Sequence, residues 1–379
     1  MKNRLIIIVI TIISLFLNCG KKKDTYTIEI KDGVRHIHNH APLWGDTLKV
    51  ALEFVQKIGD LEAEDENYLL HRVSGVTVDS GGNIYVIDSG NYRIQKYDSN
   101  GKYLATFGRK GQGPGEFLSP QSIGVDSTGN IYVYDKGNNR ISVLSKEGRA
   151  LRTFKFGRNA AEFRLLQSGE FITNTLSRIF SKNLDAVSNP TAKYTIPVVQ
   201  IYDKEGKLLR EFGKPYDYKD NVVNPEGNVF FYSSDKNNFI YLSFKYQNRI
   251  EKYSSEGRLL FTAERPLSYK ISRPKTKVKA YPGEVVGIPL PIFNIVSWGI
   301  GSDYKERIWV LTVIEQPGKD KPGFGLELEI YNNKGILLGE IPWGEENTFS
   351  YRNFYMIGER VFFIDFKRIT VYEYKIVEK

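Results

Sequence analysis

Two copies of one stretch decide the fold of this chain: Asp79-Ser-Gly-Gly-Asn-Ile-Tyr-Val-Ile-Asp88 and Asp126-Ser-Thr-Gly-Asn-Ile-Tyr-Val-Tyr-Asp135. The copies lie 47 positions apart, and the same spacing separates Asn91-Tyr-Arg93-Ile from Asn138-Asn-Arg140-Ile. Because no insertion breaks this spacing, whole structural units are repeated. A repeat of this length indicates stacked units of supersecondary structure.

One unit contains four short strands. Residues 73–79, 83–88, 93–98 and 103–108 are rich in β-branched and aromatic residues, and turn residues such as glycine and asparagine separate them. A four-stranded meander of about 40–50 residues, repeated along a chain, is typical of a β-propeller blade. One such sheet cannot bury both of its faces by itself, so neighbouring blades must stack.

Further motifs surround the second copy. Gly-Glu-Phe-x-x-Pro at residues 115–120 precedes Ile-Gly-Val-Asp, Gly-Asn-Ile-Tyr-Val and Asp-x-Gly-Asn-x-Arg-Ile. This set resembles the NHL repeat, and the whole chain resembles a six-bladed bacterial propeller lipoprotein. The resemblance implies a fold but leaves the function open, because one fold hosts many functions.

The rest of the chain supplies the remaining blades. Residues 162–213, 228–264 and 294–342 each contain four strand-like segments, whereas residues 354–377 contain only three. Residues 47–59 alternate like a strand and have no partner strand beside them in the sequence. We therefore predict an all-β, six-bladed propeller over residues 47–379, with four-stranded antiparallel blades, in which strand 47–59 completes the last blade and closes the ring.

The N-terminus has the features of a lipoprotein signal peptide spanning residues 1–18. The apolar run at residues 5–17 is too short for a bilayer, which takes about 20 residues, but it suits an export signal. It ends in Asn18-Cys19-Gly20, which resembles a bacterial lipobox, although Asn18 stands where that motif has a small residue. The alternative is an ordinary secretory signal with an incidental cysteine. Because Cys19 is the only cysteine, we expect a lipid there and a protein anchored in the bacterial cell envelope, at the outer membrane or cell surface rather than free in the periplasm.

Residues 19–46 are polar and are predicted to be a tether between the membrane and the propeller. They contain His36, His38 and His40. In an extended strand these alternate residues share a face, so the three imidazoles are candidate ligands for one divalent metal. The alternative is a solvated linker, which we favour because a tether lacks the supporting groups that orient metal ligands. No cofactor is predicted.

Two other patterns have structural interpretations. The glycine-rich loop at residues 108–115 lacks the Gly-Lys-Ser/Thr ending of a phosphate-binding loop, so we assign it to a crossover between blades. Asp88, Asn91 and Arg93 recur at equivalent places in the next repeat. Active sites are seldom repeated blade by blade, and Asp and Asn commonly brace turns, so we interpret these residues as a turn brace.

Two candidate binding regions remain. Residues 265–279 carry six positive charges and no acidic residue. These are Arg265, Lys270, Arg273, Lys275, Lys277 and Lys279. One interpretation is a solvated loop, and the other is a contact for an anionic partner such as an acidic glycan, a lipid headgroup or an acidic protein. The second region is His71, the only histidine within the propeller, which we expect near the mouth of the central channel.

The sequence therefore favours a non-catalytic binding protein whose ligand is a protein, a glycan or another anionic molecule. One alternative is a metal-dependent lyase or hydrolase with its site in the channel, although the chain shows no Gly-x-Ser-x-Gly motif and no second cysteine. A second alternative is nucleic-acid binding on a basic face, as in some NHL propellers. The export signal disfavours that alternative, because exported proteins rarely meet RNA.

Overall fold

A computed structural model describes residues 24–155, 162–174, 197–220, 223–272, 293–318, 323–343 and 351–379. These residues are almost entirely β-structure. The helical segments among them are short: one 3-10 turn at Ser89–Asn91 and one α-helix, α1, at Val223–Gly227. The prediction of an all-β chain is confirmed.

Three strands precede the first complete blade: β1 Tyr26–Lys31, β2 Val34–Asn39 and β3 Val50–Ile58. The first blade comprises β4 Val73–Val78, β5 Ile84–Asp88, β6 Arg93–Tyr97 and β7 Tyr103–Phe107. The second comprises β8 Pro120–Val125, β9 Ile131–Asp135, β10 Arg140–Leu144 and β11 Ala150–Phe154. The third comprises β12 Phe163–Leu165, β13 Phe171–Asn174, β14 Val199–Tyr202 and β15 Leu208–Phe212.

The fourth blade comprises β16 Phe230–Ser234, β17 Ile240–Phe244, β18 Ile250–Tyr253 and β19 Leu259–Glu264. The fifth comprises β20 Ser297–Ser302, β21 Ile308–Glu315, β22 Gly325–Tyr331 and β23 Leu337–Trp343. The sixth comprises β24 Tyr351–Ile357, β25 Arg360–Asp365, β26 Thr370–Glu378 and, from the N-terminal part, β3.

The six blades form a ring around a central channel. Within each blade, consecutive strands pair antiparallel, and the first strand lies innermost. Innermost strands of neighbouring blades touch: β4 contacts β8 and β24, β8 also contacts β12, and β20 contacts β16 and β24. The six-bladed propeller with four-stranded antiparallel blades is therefore confirmed.

The ring closes through a strand from the N-terminal part of the chain. β3 pairs antiparallel with β26, from Ile58 opposite Val371 to Val50 opposite Glu378. Val50 and Ile58 are buried, at 0% and 1% exposure. This confirms the expected closure, which removes the strand edge that the three C-terminal strands would otherwise leave open.

The segment expected to be a tether is structured between residues 26 and 39. There β1 and β2 form a hairpin, called here the N-terminal hairpin, and β2 pairs in parallel with β19 on the outer edge of the fourth blade. Ile37 is buried in the core between the fourth and fifth blades, and Asn39 donates hydrogen bonds to the carbonyls of Glu264 and Gly335. The tether prediction is wrong for these residues, because the edge of β19 offers unpaired backbone groups that a polar strand can satisfy.

Blades pack against each other through their turns as well as through their faces. Gly148 precedes the outer strand of the second blade and has a φ of +82°. A Cβ atom on Gly148 would lie 2.1 Å from Cδ1 of Phe107, the last residue of the first blade. Only glycine allows this backbone conformation together with so close an approach of a ring from the neighbouring blade.

Candidate functional site

Repeated aspartates shape the end of the channel where the innermost strands finish. Asp235 accepts hydrogen bonds from the backbone N–H groups of Asn237 and Phe239 and from the Tyr241 hydroxyl, at 2.7–3.0 Å. Asp79 has the same arrangement in the first blade. Partial burial alone would raise the pKa of Asp79, but hydrogen bonds, chiefly from Asn83, lower it below its usual value. These carboxylates therefore accept hydrogen bonds from the backbone of their own turns.

The repeated trio at the opposite end is a brace, as predicted. Asp88 accepts hydrogen bonds from the backbone N–H groups of His71 and Arg72, at 2.9 and 3.2 Å, and from the Asn91 side chain at 2.8 Å. Arg93 donates to the same carboxylate at 3.0 Å. The trio therefore ties the crossover segment before β4 to the turn that follows β5.

A cavity of about 400 Å³ lies in the central channel. All six blades contribute to its wall, through the later part of each innermost strand and the turn that follows it. The charged residues in this wall are Glu162, Arg164, Asp235, Lys236 and Asp303. A pocket formed where all the elements of a ring converge is the most favourable place for a small ligand in this fold.

Arg164 reaches across the channel. It belongs to β12 in the third blade, and its Cζ lies 5.3 Å from the ring centre of Tyr355 in β24 of the sixth blade. In a ring of six, the third and sixth blades lie opposite each other. A guanidinium over an aromatic ring is attracted electrostatically. The Arg164–Tyr355 pair therefore bridges the channel and forms part of the cavity wall.

Most other charged groups in the wall are already paired. Asp303 accepts a hydrogen bond from Trp309 Nε1 at 2.9 Å and forms an ion pair with Arg307 at 2.6 Å. Lys236 forms an ion pair with Glu306 at 3.3 Å. By contrast, the side chains of Glu162 and Arg164 form no hydrogen bond or ion pair with another described residue.

Glu162 and Ser302 complete the polar surface of the cavity. Burial raises the pKa of the Glu162 carboxyl, and the nearby charge of Arg164 only partly opposes this shift. Ser302 is 7% exposed, and its hydroxyl has no hydrogen-bond partner among the described residues. Glu162, Arg164 and Ser302 are called here the cavity triad; Glu162 and Arg164 offer charged side chains without an ion-pair partner among the described residues, and the Ser302 hydroxyl is buried within the wall.

The sequence analysis missed the cavity triad, although a signal for one member was present. The turn glycines Gly82, Gly129 and Gly169 occupy equivalent places in the first three blades. The residue five positions before this glycine is Thr77 in the first blade, Gly124 in the second and Arg164 in the third. A long charged residue at a position that is otherwise small marks a departure from the repeat, and such departures are expected at functional sites.

A second polar cluster lies between the fourth and fifth blades. Arg265, at 3% exposure, forms an ion pair with Glu329 at 3.2 Å and donates hydrogen bonds to Ser297 and Thr312. This corrects the prediction that Arg265 belongs to an exposed basic loop. The charge is buried because Glu329 offers a buried carboxylate opposite it.

Glu327, Glu329 and Glu340 form the only group of three potential metal-ligating side chains in the described part of the chain whose ligand atoms lie within 4.8 Å of one another. Burial, followed by the charges of Glu329 and Glu340, raises the pKa of Glu327 to about 8. Arg265 already places a positive charge against this group. The guanidinium therefore supplies the positive charge that a metal ion would otherwise bring to these carboxylates.

The three histidines of the predicted metal site have separate partners. His36 Nδ1 lies 2.8 Å from the Thr262 hydroxyl, and His38 Nδ1 lies 3.2 Å from a Glu264 carboxylate oxygen. His40 Nε2 lies 3.4 Å from the hydroxyl of Thr27. The structure does not bring the three imidazoles together, because His36 and His38 in β2 contact β19, whereas His40 follows that strand and contacts β1.

The remaining predicted site residues lie away from the cavity or outside the described residues. His71 is exposed and precedes β4, so it lies at the opposite end of that strand from the residues that line the cavity. Lys270 is exposed. Cys19 and the basic residues Arg273, Lys275, Lys277 and Lys279 lie outside the described residues.

Among the described residues, no helix has the length and apolar character needed to cross a membrane. No curated protein has a sequence that matches this chain. Solved structures share the fold at low identity. A member of the DUF4221 family from Bacteroides vulgatus is 12% identical with a TM-score of 0.56, covering 87% of this chain and 99% of that one.

A protein from Bacteroides fragilis that is described as exported is 11% identical with a TM-score of 0.52, covering 87% of this chain and 96% of that one. Virginiamycin B lyase from Staphylococcus aureus is 11% identical with a TM-score of 0.48, covering 86% and 100%. At these identities the likeness is one of fold alone. A family model described as "6-bladed beta-propeller" matches residues 52–260, more than half of the chain. The chain therefore belongs to this family of six-bladed β-propellers, DUF5128.

Proposed function

We propose that this protein is a lipid-anchored, extracytoplasmic propeller that binds a ligand in its central cavity and performs no chemistry on it. The observation that carries the proposal is the cavity triad. Glu162, Arg164 and Ser302 line a space of about 400 Å³ and have no hydrogen-bonding side-chain partner among the described residues. Polar groups that converge on a cavity without partners are suited to hold a ligand.

The neighbouring carboxylates support binding over catalysis. Asp235 and Asp303 are held as acceptors by the backbone and by Tyr241 and Trp309. A general base or metal ligand needs a lone pair directed at the reacting group or ion. These two carboxylates direct theirs into their own turns, so they shape the cavity rather than act in it.

One observation favours a catalytic alternative. Glu162 has a raised pKa inside a cavity, and carboxyl groups with raised pKa values often serve as acids or bases in enzymes. A lyase or hydrolase would use Glu162 to move a proton while Arg164 held the substrate. The two functions differ in whether the bound molecule is released chemically changed.

The anchor is the second part of the proposal. It rests on Cys19 at the end of an apolar leader. Cys19→Ala should move the protein from the membrane fraction to the soluble fraction, because the lysines that follow contribute only about 1 kcal/mol each at an anionic surface. Retention of the variant in the membrane fraction would refute lipid attachment.

Ligand binding can be tested with the protein from its native cell. Small molecules released by denaturing the purified full-length chain would be identified by mass spectrometry. We expect a compound that accompanies the wild type, is lost from Arg164→Met, and is recovered unchanged after incubation with fresh protein. Chemical conversion of that compound would support the catalytic alternative. Absence of any compound specific to the wild type would contradict binding in this cavity.

The basic residues Lys270, Arg273, Lys275, Lys277 and Lys279 remain a proposed contact for an anionic macromolecular partner. Lys270 is exposed at the crossover end of the propeller, away from the central cavity. A crosslinked partner that is lost when these residues are replaced by serine would support this contact. Unchanged crosslinking would leave them as a solvated surface.

A further inference from the structure

Arg164 is held in position before any ligand arrives. A guanidinium is planar and presents its N–H donors as a fixed fork that matches the two oxygens of a carboxylate. The contact with the Tyr355 ring restricts rotation of this fork, and Tyr355 is in turn packed against the first blade, where its hydroxyl lies 3.4 Å from the Ser74 carbonyl. Preorganisation of this kind lowers the entropic cost of binding.

The wall around Arg164 is rich in hydroxyl groups. Thr77, Ser233, Ser234 and Ser302 all line the cavity. A ligand that carries hydroxyl groups of its own is therefore complementary to this wall.

Glu162 opposes a bound anion less strongly than an exposed glutamate would, because burial raises its pKa. Its raised pKa means that it takes up a proton more readily than an exposed glutamate does. A protonated carboxyl donates a hydrogen bond and carries no negative charge. Glu162 immediately precedes β12 and Arg164 lies within it, two positions further on, so both can contact the same end of a small molecule.

Building on the proposed binding function, we propose that the ligand of the central cavity is a small hydroxylated carboxylate with the dimensions of a sugar acid. Arg164 binds its carboxylate through two parallel N–H···O hydrogen bonds. Hydroxyl-bearing residues of the wall, among them Thr77 and Ser234, bind its hydroxyl groups. The cavity volume of about 400 Å³ accommodates a molecule of this size.

Calorimetric titration of the full-length chain in detergent tests this inference. The probes are galacturonate and glucuronate, with galactose and glucose as neutral counterparts of nearly the same shape. We expect the acids to bind at least about tenfold more tightly than the neutral sugars. In Arg164→Met this preference should disappear, and in Arg164→Lys it should be reduced, because lysine keeps the charge but loses the fork.

Arg152→Met is the matched control. Arg152 also lies over an aromatic ring, with its Cζ 5.0 Å from the ring centre of Phe154, but it is on β11 outside the cavity. It should bind the acids like the wild type, and all variants should unfold at the wild-type temperature within a few degrees.

Equal binding of acids and neutral sugars would overturn carboxylate recognition, and an unchanged preference in both Arg164 variants would overturn recognition by Arg164; either result would leave the binding function intact. Binding of neither class would overturn this ligand class, and the copurification experiment would then decide the binding function independently.

Discussion

At the scale of single residues, two arginines have contacts that their sequence neighbours do not indicate. Arg265 is followed along the chain by basic residues, yet it is buried against Glu329. Arg164 lies in a short strand, yet it crosses the channel to the opposite blade. In both cases the partner comes from another blade, and at Arg265 burial makes the pairing energetically important.

Replacing Arg265 should destabilise the fold. Arg265→Met leaves Glu329 buried without its counter-charge, which typically costs about 3–5 kcal/mol. Lys270→Met, at an exposed basic position nearby, should change the free energy of unfolding by less than about 0.5 kcal/mol. Denaturant unfolding of both variants measures this. Equal effects would mean that Arg265 is no more than part of a solvated loop.

Glu327 should make stability depend on pH. Its folded-state pKa of about 8 exceeds the value of about 4.3 expected in the unfolded chain. Between these values the folded state retains a proton that the unfolded state has lost, so the contribution of Glu327 to stability is present below about pH 4 and is lost as pH rises through 8. Because Glu327 is partly exposed, we expect about 1–2 kcal/mol, less than the full shift implies.

The measurement is the free energy of unfolding at pH 5 and pH 8. Wild type should lose more stability over this interval than Glu327→Gln, which keeps the side-chain shape but cannot ionise. Glu53→Gln, at an exposed position on β3, should behave like the wild type. Parallel pH profiles for the wild type and Glu327→Gln would contradict the prediction.

At the scale of elements, the turns before the outer strands determine how closely blades approach each other. Gly148 precedes the outer strand of the second blade, whereas Gly169 lies between the first two strands of the third. Their φ values are nearly the same, +82° and +81°. Their surroundings differ, since a Cβ on Gly148 would meet Phe107 of the preceding blade, whereas nothing lies within 4 Å of one on Gly169. The pair therefore separates backbone strain from packing between blades.

Gly148→Ala should be more destabilising than Gly169→Ala. Left-handed backbone costs an alanine about 1–2 kcal/mol in both variants. At Gly148 the displaced Phe107 ring adds about 1–3 kcal/mol of overpacking. Thermal or denaturant unfolding of the two variants gives the difference directly. The same loss in both would show that the Gly148 turn does not limit the approach of the blades.

At the scale of the whole molecule, the N-terminal part contributes twice to the propeller. β3 supplies the outer strand of the sixth blade, and the N-terminal hairpin extends the sheet of the fourth blade. β3 completes a blade that otherwise has three strands and buries Val50 and Ile58 in the cores on either side of it, whereas the hairpin extends a blade that already has four strands and buries Ile37. Their removal should therefore have unequal effects.

Two truncations test this difference. Deletion of residues 20–40 removes the hairpin together with buried Ile37 and the Asn39 hydrogen bonds, so it should lower the melting temperature while preserving cooperative unfolding. Deletion of residues 20–59 also removes β3, and it should abolish cooperative unfolding and promote aggregation through the exposed edge of β26. Indistinguishable melting curves for the two truncations would refute closure by β3.

Local pattern in the sequence determined the architecture of this protein. The 47-residue spacing, the glycine turns and the missing strand at the C-terminus predicted four-stranded blades, their number and the closure by residues 47–59. These features can be predicted from the sequence because strands and tight turns depend on residues close together in the chain. The turn brace of Asp88, Asn91 and Arg93 was predictable for the same reason.

Only the tertiary structure decided where the distant groups meet. The pairing of β2 with β19, the burial of Arg265 against Glu329 and the reach of Arg164 to Tyr355 each join residues that are far apart in the sequence. A repeat pattern records how each blade folds, but the environment of a side chain between blades depends on which surfaces the closed ring brings together. The cavity triad exists for that reason, since its members come from the third and fifth blades and share one wall only once the ring is complete.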